Sequence, residues 1–338
     1  MAKILSAFFI LFYISALVPA LLAQSTLNPD ISVIPDFSMF TTSEKDVPEK
    51  NRINFSLEEI EMAIQGPLNP YARADIYIAF ANDESAPVDI EEAYFTIQKG
   101  LPWNLNVKGG KFLVDFSKLN TAHPHIYPFV YRPLYQQYFF GEEGLKDVGI
   151  ELNTLLPTGE IYTKLSGTIS AGDERDGERK NLFYSSRISS FFQLSDLTVL
   201  ETGVSGATGI YDTTAKRFKW INADVKFKWK KNQYTSLTLW TEALLNQFNG
   251  IKSYGGYIAA NFQFKRRFEI GGKFDLTQSI DSKDKTRLIS GNFNFLPAEE
   301  TLVFRLVFSN TKAANKKSFN TLLLQTVFSL GPHKAHVF

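Results

Sequence analysis

Apolar and polar residues alternate with a period of two along most of the chain from residue 31 onward. In segment 267–277, apolar residues and one glycine occupy one face of an extended chain, and polar or charged residues and a second glycine occupy the other. Segments 71–80 and 221–230 alternate in the same way. Successive side chains of a β-strand point to opposite faces. These runs reach the ~9 to 11 residues that a tilted membrane strand needs, whereas ordinary strands average ~5 to 6.

About sixteen such runs follow one another along the chain. They lie approximately at 31–40, 53–64, 71–81, 89–99, 103–116, 147–156, 159–171, 181–193, 196–206, 216–229, 233–244, 253–264, 266–277, 286–296, 301–310 and 319–330. Short connections at 66–70, 100–102, 157–159, 194–196, 230–232, 265–266 and 297–299 alternate with longer ones at 41–52, 117–146, 172–180, 207–215, 278–285 and 310–318. Tight turns on one side and long loops on the other are typical of bacterial outer-membrane barrels. The pattern predicts an all-β fold, a transmembrane antiparallel up-and-down β-barrel of about 16 strands.

The predicted loop 117–146 differs from the others in length and composition. It has roughly thirty residues against about ten elsewhere, and it is rich in Tyr, Phe and Pro. Loops normally lie in water, so this aromatic content indicates that the segment packs against something. We predict that it folds inward as a constriction of the lumen. A packed cap over the outer rim is the alternative.

The N-terminus predicts export. Lys3 precedes an almost unbroken apolar run from residue 4 to residue 18, and Ala20 and Ala23 are small residues suited to cleavage. We therefore divide the chain into a signal peptide, 1–23, and an outer-membrane barrel, 24–338. The alternative is that 4–23 stays as an uncleaved anchor. The barrel would reach the cell outer membrane, where the barrel-assembly machinery inserts it among outer-membrane lipids.

Composition narrows the function classes. The chain has no cysteine, 14% aromatic residues and a formal net charge of +1, and its mean hydropathy is -0.13. A near-neutral charge argues against nucleic-acid binding, which needs a basic surface. A low mean hydropathy fits barrel strands, which alternate lipid-facing apolar residues with lumen-facing polar ones. No serine stands in a recognisable nucleophile motif beside a base, so we predict no enzyme activity.

Charged residues on the predicted inward faces are the candidate channel lining. They are Arg73, Asp75, Lys108, Lys111, Asp115, Asp224, Lys226, Lys228, Lys230, Arg267, Glu269, Lys273, Asp275 and Arg305. A ring of one sign biases which ions enter a pore. Here the two signs nearly balance, and two interpretations stay open: cross-strand salt bridges that stiffen the wall, or a modest anion preference at the ladder Lys226, Lys228 and Lys230.

The four histidines form two close pairs, His123 with His125 and His333 with His336. Imidazole is the commonest metal ligand, and tetrahedral zinc takes three or four protein ligands. The carboxylates that could complete the first pair are Glu142, Glu143 and Asp147. His123 and His125 are thus the candidate ligands and zinc the candidate ion, against the alternative that both anchor the loop by hydrogen bonds. We predict no other cofactor.

Several segments resemble bacterial outer-membrane proteins known as zinc-regulated TonB-dependent outer-membrane receptors, which are distantly similar to phosphate-selective porins. The matching stretches are FSLEEIE at 55–61, LNPYARAD at 68–75, VDIEEAY at 88–94, GKFLVDF at 110–116, HPH at 123–125, FVYRP at 129–133, FGEEGL at 140–145 and LGPH at 330–333. They cover most of 28–156 and the C-terminus. The resemblance implies an outer-membrane barrel with a transport or receptor function linked to zinc.

Together these features predict a porin-like outer-membrane channel for passive or weakly selective passage of small polar solutes or ions. A homo-trimer is one assembly that such a channel can form. The alternative function is a non-conducting or metal-responsive, zinc-linked receptor or binding barrel.

Overall fold

A computed structural model describes residues 28–45, 47–81, 88–172, 181–211, 216–280, 283–298, 301–314 and 316–331. The predicted signal peptide and the pair His333 and His336 lie outside these residues. No helix in the described ranges is long and apolar enough to cross a membrane.

In the described ranges, sixteen antiparallel strands close into one barrel. The strands are β1 Asp30–Thr42, β2 Asn54–Asn69, β3 Ala72–Ala81, β4 Val88–Ile97, β5 Asn106–Leu113, β6 Lys146–Leu156, β7 Tyr162–Ser170, β8 Phe183–Ser195, β9 Thr198–Tyr211, β10 Lys216–Asn232, β11 Thr235–Phe248, β12 Ile251–Phe264, β13 Phe268–Gln278, β14 Lys285–Phe295, β15 Leu302–Lys312 and β16 Phe319–Phe328. Each strand pairs with its sequence neighbours, and β1 pairs with β16 from Asp36↔Val327 to Thr42↔Thr321. The predicted up-and-down barrel is confirmed.

The two faces of the wall have opposite chemistry. The outward face exposes large apolar side chains at mid-strand, among them Ile150, Ile188, Ile258, Ile289 and Leu306. The inward face carries buried polar and charged side chains, among them Glu61, Asp75, Glu151, Asn222 and Asn294. An apolar exterior around a polar interior is the arrangement of a barrel that spans a lipid bilayer.

Aromatic rings form a belt on the outward face near the turn between β12 and β13. Phe262, Phe264, Phe268, Phe293, Phe295 and Phe304 stack in succession across four strands, with neighbouring ring centroids 5.3 to 6.3 Å apart. Girdles of this kind mark the interface between the apolar core of a membrane and water. The belt therefore sets the level at which the short-turn end of the wall leaves the membrane.

The structure shifts several of the predicted boundaries: the turn predicted at 230–232 lies within β10, which runs to Asn232, and most of the turn predicted at 66–70 lies within β2. Three further differences concern β5, β9 and the connection between β11 and β12. Strand β5 was predicted over 103–116 but covers only Asn106–Leu113, because a 3₁₀ turn at Pro102–Asn104 delays its start and the chain leaves the wall after Leu113. The predicted loop 207–215 is wrong over its first half, since β9 runs to Tyr211. Gly209 allows this, because a Cβ there would lie 2.8 Å from the ring of Phe218. The connection between β11 and β12 on the outer side is a tight turn, Asn249 and Gly250, whose positive φ angles of 50° and 78° suit a two-residue hairpin.

Residues 114–145, which we call the lumen loop, fold into the barrel. The loop begins and ends at the same place, because the Val114 N–H donates to the Leu145 carbonyl at 2.9 Å. It contains a 3₁₀ turn, Pro124–Ile126, and a seven-residue helix, α1, Leu134–Phe140, which contacts β12, β13 and β14. The predicted inward fold of this segment is confirmed.

A buried ionic network holds the base of the lumen loop to the wall. The Arg187 guanidinium on β8 donates to Asp224 on β10 at 2.5 and 2.9 Å and lies 3.3 Å from Asp115 in the loop. The same guanidinium donates to the Phe116 carbonyl at 3.4 Å. Opposite it stands Gly203, where a Cβ would lie 2.2 Å from the guanidinium. A glycine at this point of β9 leaves the space that the arginine fills.

The membrane-facing wall can be tested at Ile258, which is 56% exposed in the middle of β12. We expect Ile258→Arg to destabilise the barrel in lipid vesicles by about 2–4 kcal/mol, because a charge at the bilayer midplane loses its hydration. Denaturant unfolding followed by gel mobility of unheated samples measures this loss. The control is Leu245→Arg, near the outer end of β11, where the cost should fall toward ~1 kcal/mol; equal losses would contradict the assigned depth.

The ionic network can be tested with Arg187→Met. Removal of the guanidinium leaves Asp115 and Asp224 without their shared cation, so we expect a loss of about 3–5 kcal/mol in the free energy of unfolding. The matched control is Arg217→Met, an exposed arginine on β10 whose loss should cost within ~0.5 kcal/mol. An equal effect of both substitutions would show that the network does not hold the loop.

Candidate functional site

The lumen loop touches the wall around most of the circumference of the barrel. On one side Lys118 pairs with Glu201 of β9 at 2.6 Å, and the Leu119 N–H donates to Glu242 of β11 at 2.8 Å. At β12 and β14, the Pro128 carbonyl accepts hydrogen bonds of 3.3, 3.3 and 3.4 Å from Asn261, Asn292 and Asn294. Arg305 of β15 donates to the His125 carbonyl at 3.1 Å. The loop therefore crosses the lumen from side to side.

An aromatic core fills the side of the lumen next to β8–β12. The loop contributes Phe116, Leu119, Tyr127, Phe129, Tyr135, Phe139 and Phe140, and the wall contributes Phe183, Phe218, Trp220, Trp240, Leu244 and Tyr257. Trp220 is the centre of this packing, with ring centroids 5.2 Å from Phe140 and 5.9 Å from Phe116. The Tyr135 hydroxyl and the Gln136 amide both donate to Glu242, which is buried beneath them. This core explains the aromatic composition that predicted an inward fold.

The opposite side of the lumen holds a group that we call the carboxylate–histidine cluster: Glu61 on β2, Glu91 and Glu92 on β4, and His123 and His125 on the lumen loop. Two β-bulges concentrate acidic groups there. The register shifts at Glu58 in β2 and at Glu91 in β4, so that two consecutive glutamates of each strand lie at inward positions. A bulge re-aims side chains in this way. Simple alternation would have pointed one glutamate of each pair at lipid.

His123 lies between carboxylates from two strands. Its Nε2 is 2.9 Å from Glu92 Oε1, and its Nδ1 is 3.1 Å from Glu61 Oε2 and 3.8 Å from Glu91 Oε2. The His125 Nδ1 is 3.4 Å from the same Glu61 oxygen. Tyr77 stacks on the His123 ring with centroids 4.3 Å apart. Burial by itself would lower the pKa of His123, but Glu61 and Glu92 outweigh it and raise the pKa well above the ordinary value.

Most of the predicted channel-lining residues lie on inward strand positions and contact other side chains there. Arg73 pairs with Asp75 at 2.5 Å, and Lys273 pairs with Asp275 at 3.1 Å. The ammonium of Lys226 lies 4.7 Å from the ring centroid of Trp240. The inward positions are Arg73, Asp75, Lys108, Asp224, Lys226, Lys228, Lys230, Glu269, Lys273, Asp275 and Arg305. Both ion pairs join residues of one strand, so they are not the cross-strand bridges of the first interpretation, and the lining role of these residues stays a prediction.

Three predicted lining residues are placed differently. Lys111 pairs in register with Val148, which is exposed on the outer face, so it does not share a face with Lys108 and instead lies 3.5 Å from Asp89. Asp115 belongs to the lumen loop, because β5 ends at Leu113. Arg267 lies in the exposed turn between β12 and β13, at the rim. Alternation within β5 already separates Lys111 from Lys108, whereas it could not locate the points where the chain leaves the wall before Asp115 and at Arg267.

The carboxylates predicted to accompany the histidines lie elsewhere. Glu142 is exposed, and Glu143 contacts Lys146. Asp147 accepts hydrogen bonds from the Ser170 hydroxyl at 2.7 Å and from the Gly172 N–H at 2.5 Å. Glu61, Glu91 and Glu92 take their place. The pair Glu91-Glu92 was one available signal, because two adjacent acidic residues within an alternating strand require a bulge to avoid lipid. Glu61 follows from the alternation of β2 itself.

Comparisons with known proteins give the fold. No family model matches the chain. A protein of Aquifex aeolicus (strain VF5) described as an uncharacterized protein is 26% identical over 393 residues, which cover 94% of this chain and 81% of that protein.

Solved outer-membrane proteins share the architecture. The anion-selective porin from Comamonas acidovorans matches 90% of this chain and 99% of its own, with a TM-score of 0.64 and 8% identity. The outer membrane channel DcaP of Acinetobacter baumannii matches 91% and 99%, with a TM-score of 0.62 and 10% identity. Salmonella typhi OmpF in complex with daunomycin matches 89% and 97%, with a TM-score of 0.60 and 8% identity.

These similarities confirm the porin-like barrel but give no support to the resemblance to zinc-regulated TonB-dependent receptors. A TonB-dependent transporter has about 22 strands around a plug. This chain closes with sixteen strands, and its lumen is occupied by a loop of its own wall. The fold is that of an outer-membrane porin.

Proposed function

We propose that the protein is a porin-like channel of a bacterial outer membrane, which lets small polar solutes or ions pass through a lumen narrowed by residues 114–145. The observation that carries the proposal is a closed sixteen-stranded barrel with an apolar exterior and a polar interior. A barrel of 16 to 18 strands leaves an aqueous channel unless something fills it. The similarity to a porin and to outer-membrane channels supports the same function.

The lumen loop sets the size of the opening. Its aromatic residues pack against β8–β12, and its backbone is held to β12–β15 by hydrogen bonds. Solutes would therefore pass beside the loop, along inward positions that carry both acidic and basic side chains. Because both signs are present in similar numbers, we expect weak selectivity between anions and cations. The predicted homo-trimer and the use of the barrel-assembly machinery stay predictions.

Planar-bilayer recording tests the channel and the loop together. Replacement of 117–143 by Gly-Ser-Gly is feasible, because Val114 and Leu145 are already joined by a backbone hydrogen bond. We expect measurable single-channel conductance from the intact protein and a several-fold increase after the replacement, since the loop takes up cross-section of the pore. Glu142→Gln, an exposed position on the same loop, is the control and should conduct like the intact protein.

Two results would overturn the proposal. Absence of conductance from the intact protein, with large conductance once the loop is replaced, would identify a non-conducting barrel. Absence of conductance from both forms, in samples whose heat-modifiable gel mobility shows a folded barrel, would remove the channel function altogether.

A further inference from the structure

We propose that the carboxylate–histidine cluster binds one divalent transition-metal ion of the Zn²⁺ type, with His123, Glu61 and Glu91 as ligands and His125 as the fourth. One ligand atom from each of Glu61, Glu91 and His123 lies within 4.8 Å of the other two. The ion would join the lumen loop to β2 and β4. The inference concerns ion binding alone and does not require that the barrel conducts.

The spacing of the ligand atoms fits a tetrahedral ion. Ligands bound at 2.0–2.2 Å from tetrahedral zinc lie roughly 3.3–3.6 Å from one another. The His123 Nδ1 is 3.1 Å from Glu61 Oε2 and 3.8 Å from Glu91 Oε2, and the His125 Nδ1 is 3.4 Å from Glu61 Oε2. The ligand atoms of Glu61, Glu91 and His123 therefore lie near tetrahedral spacing as they stand, whereas His125 lies outside this group of three and must rotate toward it to become the fourth ligand.

The cluster holds three carboxylates against two imidazoles. Glu61 is 1% exposed, and its Oε2 lies 3.1 and 3.4 Å from the Nδ1 atoms of His123 and His125. The Oε1 of Glu61 and the Oε2 of Glu91, which is one of the proposed ligand atoms, are buried and accept no hydrogen bond of normal geometry. Buried carboxylates that outnumber the neighbouring basic groups are costly unless a further cation or a proton compensates them. A metal ion at this point would supply that charge.

The surroundings of His123 match those of a metal ligand. A histidine that binds metal through one ring nitrogen usually donates the other N–H to a carboxylate, which fixes the tautomer and the ring orientation. Glu92 Oε1, 2.9 Å from Nε2, stands in that position, and Nδ1 is left facing Glu61 and Glu91. Stacking on Tyr77 holds the ring plane. Glu92 is therefore a positioning residue and not a ligand.

The wall leaves room for the cluster. Of the inward neighbours of Glu61, Ile34 across on β1 and Glu59 on the same strand are large, whereas Ala63 on the same strand and Ala79 directly across on β3 are small. The two alanine methyl groups occupy little of the lumen, which lets two imidazole rings approach the wall. The bulge at Glu91 brings in a carboxylate that a regular strand would have turned outward. Free space in the lumen and metal-ligating side chains therefore occur at the same point of the wall.

The donor set selects the class of ion. Imidazole with carboxylate and without thiolate suits Zn²⁺, Co²⁺ or Ni²⁺, whereas Ca²⁺ and Mg²⁺ prefer oxygen ligands alone. Zn²⁺ and Co²⁺ are the appropriate probes, because Co²⁺ reports a tetrahedral site by its visible absorption.

The test is titration of the folded, chelator-treated full chain in detergent with Zn²⁺ by calorimetry and with Co²⁺ by absorption. We expect one ion per chain. His123→Ala should lower the affinity by at least about 100-fold, and Glu92→Gln should lower it by about 10–100-fold through loss of ring orientation. Glu142→Gln and Glu143→Gln, which alter carboxylates of the same loop outside the cluster, should bind like the unmodified protein.

Glu91→Gln provides a second variant that keeps the test valid if His123→Ala does not fold. Its Oε2 accepts no hydrogen bond and lies 3.8 Å from the His123 Nδ1, so the amide removes a charged ligand without breaking a hydrogen bond at that atom. Unheated gel mobility checks folding of each variant. Absence of binding by the unmodified protein, or an affinity in folded Glu91→Gln and His123→Ala equal to that of the unmodified protein, would overturn the site. Neither result bears on conductance, so failure of the site and failure of the channel are separable.

Discussion

Backbone hydrogen bonding without water is the constraint on which the rest of this structure depends. In lipid every N–H and C=O of the wall needs a partner within the protein, and a sheet meets that need only when it has no free edge. The pairing of β1 with β16 removes the edge. Closure then determines which face of each strand meets lipid, and it leaves an interior wide enough for a segment of the chain to enter.

The lumen loop meets the same requirement by other means. Its backbone has little regular structure of its own, so its polar groups take partners from inward side chains, as the Pro128 carbonyl does from three asparagines. Glu242 shows the converse, because a buried wall carboxylate is satisfied by the Leu119 N–H and the Tyr135 hydroxyl of the loop. The wall and the loop therefore satisfy each other's buried polar groups. The polar interior binds the loop as well as forming a path for solutes.

The fold could be predicted from the sequence because its main determinant is local. Lipid selects for alternation residue by residue, and all sixteen strands carry that pattern within their own residues. The inward fold of the loop was also predictable, since aromatic side chains such as Phe116 and Phe140 need a core. The site was only half predictable. His123 and His125 stood out by their clustering, but their partners Glu61 and Glu91 depend on strand pairing and on bulges, which are properties of the sheet and not of one segment.

The bulges at Glu58 and Glu91 have an evolutionary consequence. Each adds one residue to a strand, and the regular register resumes within the next pair, Ile78↔Ile90 in the case of β4. A single-codon insertion can therefore add an inward side chain while every lipid-facing position beyond it keeps its orientation. A barrel wall in which insertions have such local effects can acquire new chemistry in its lumen one residue at a time, without rebuilding the surface that faces the membrane.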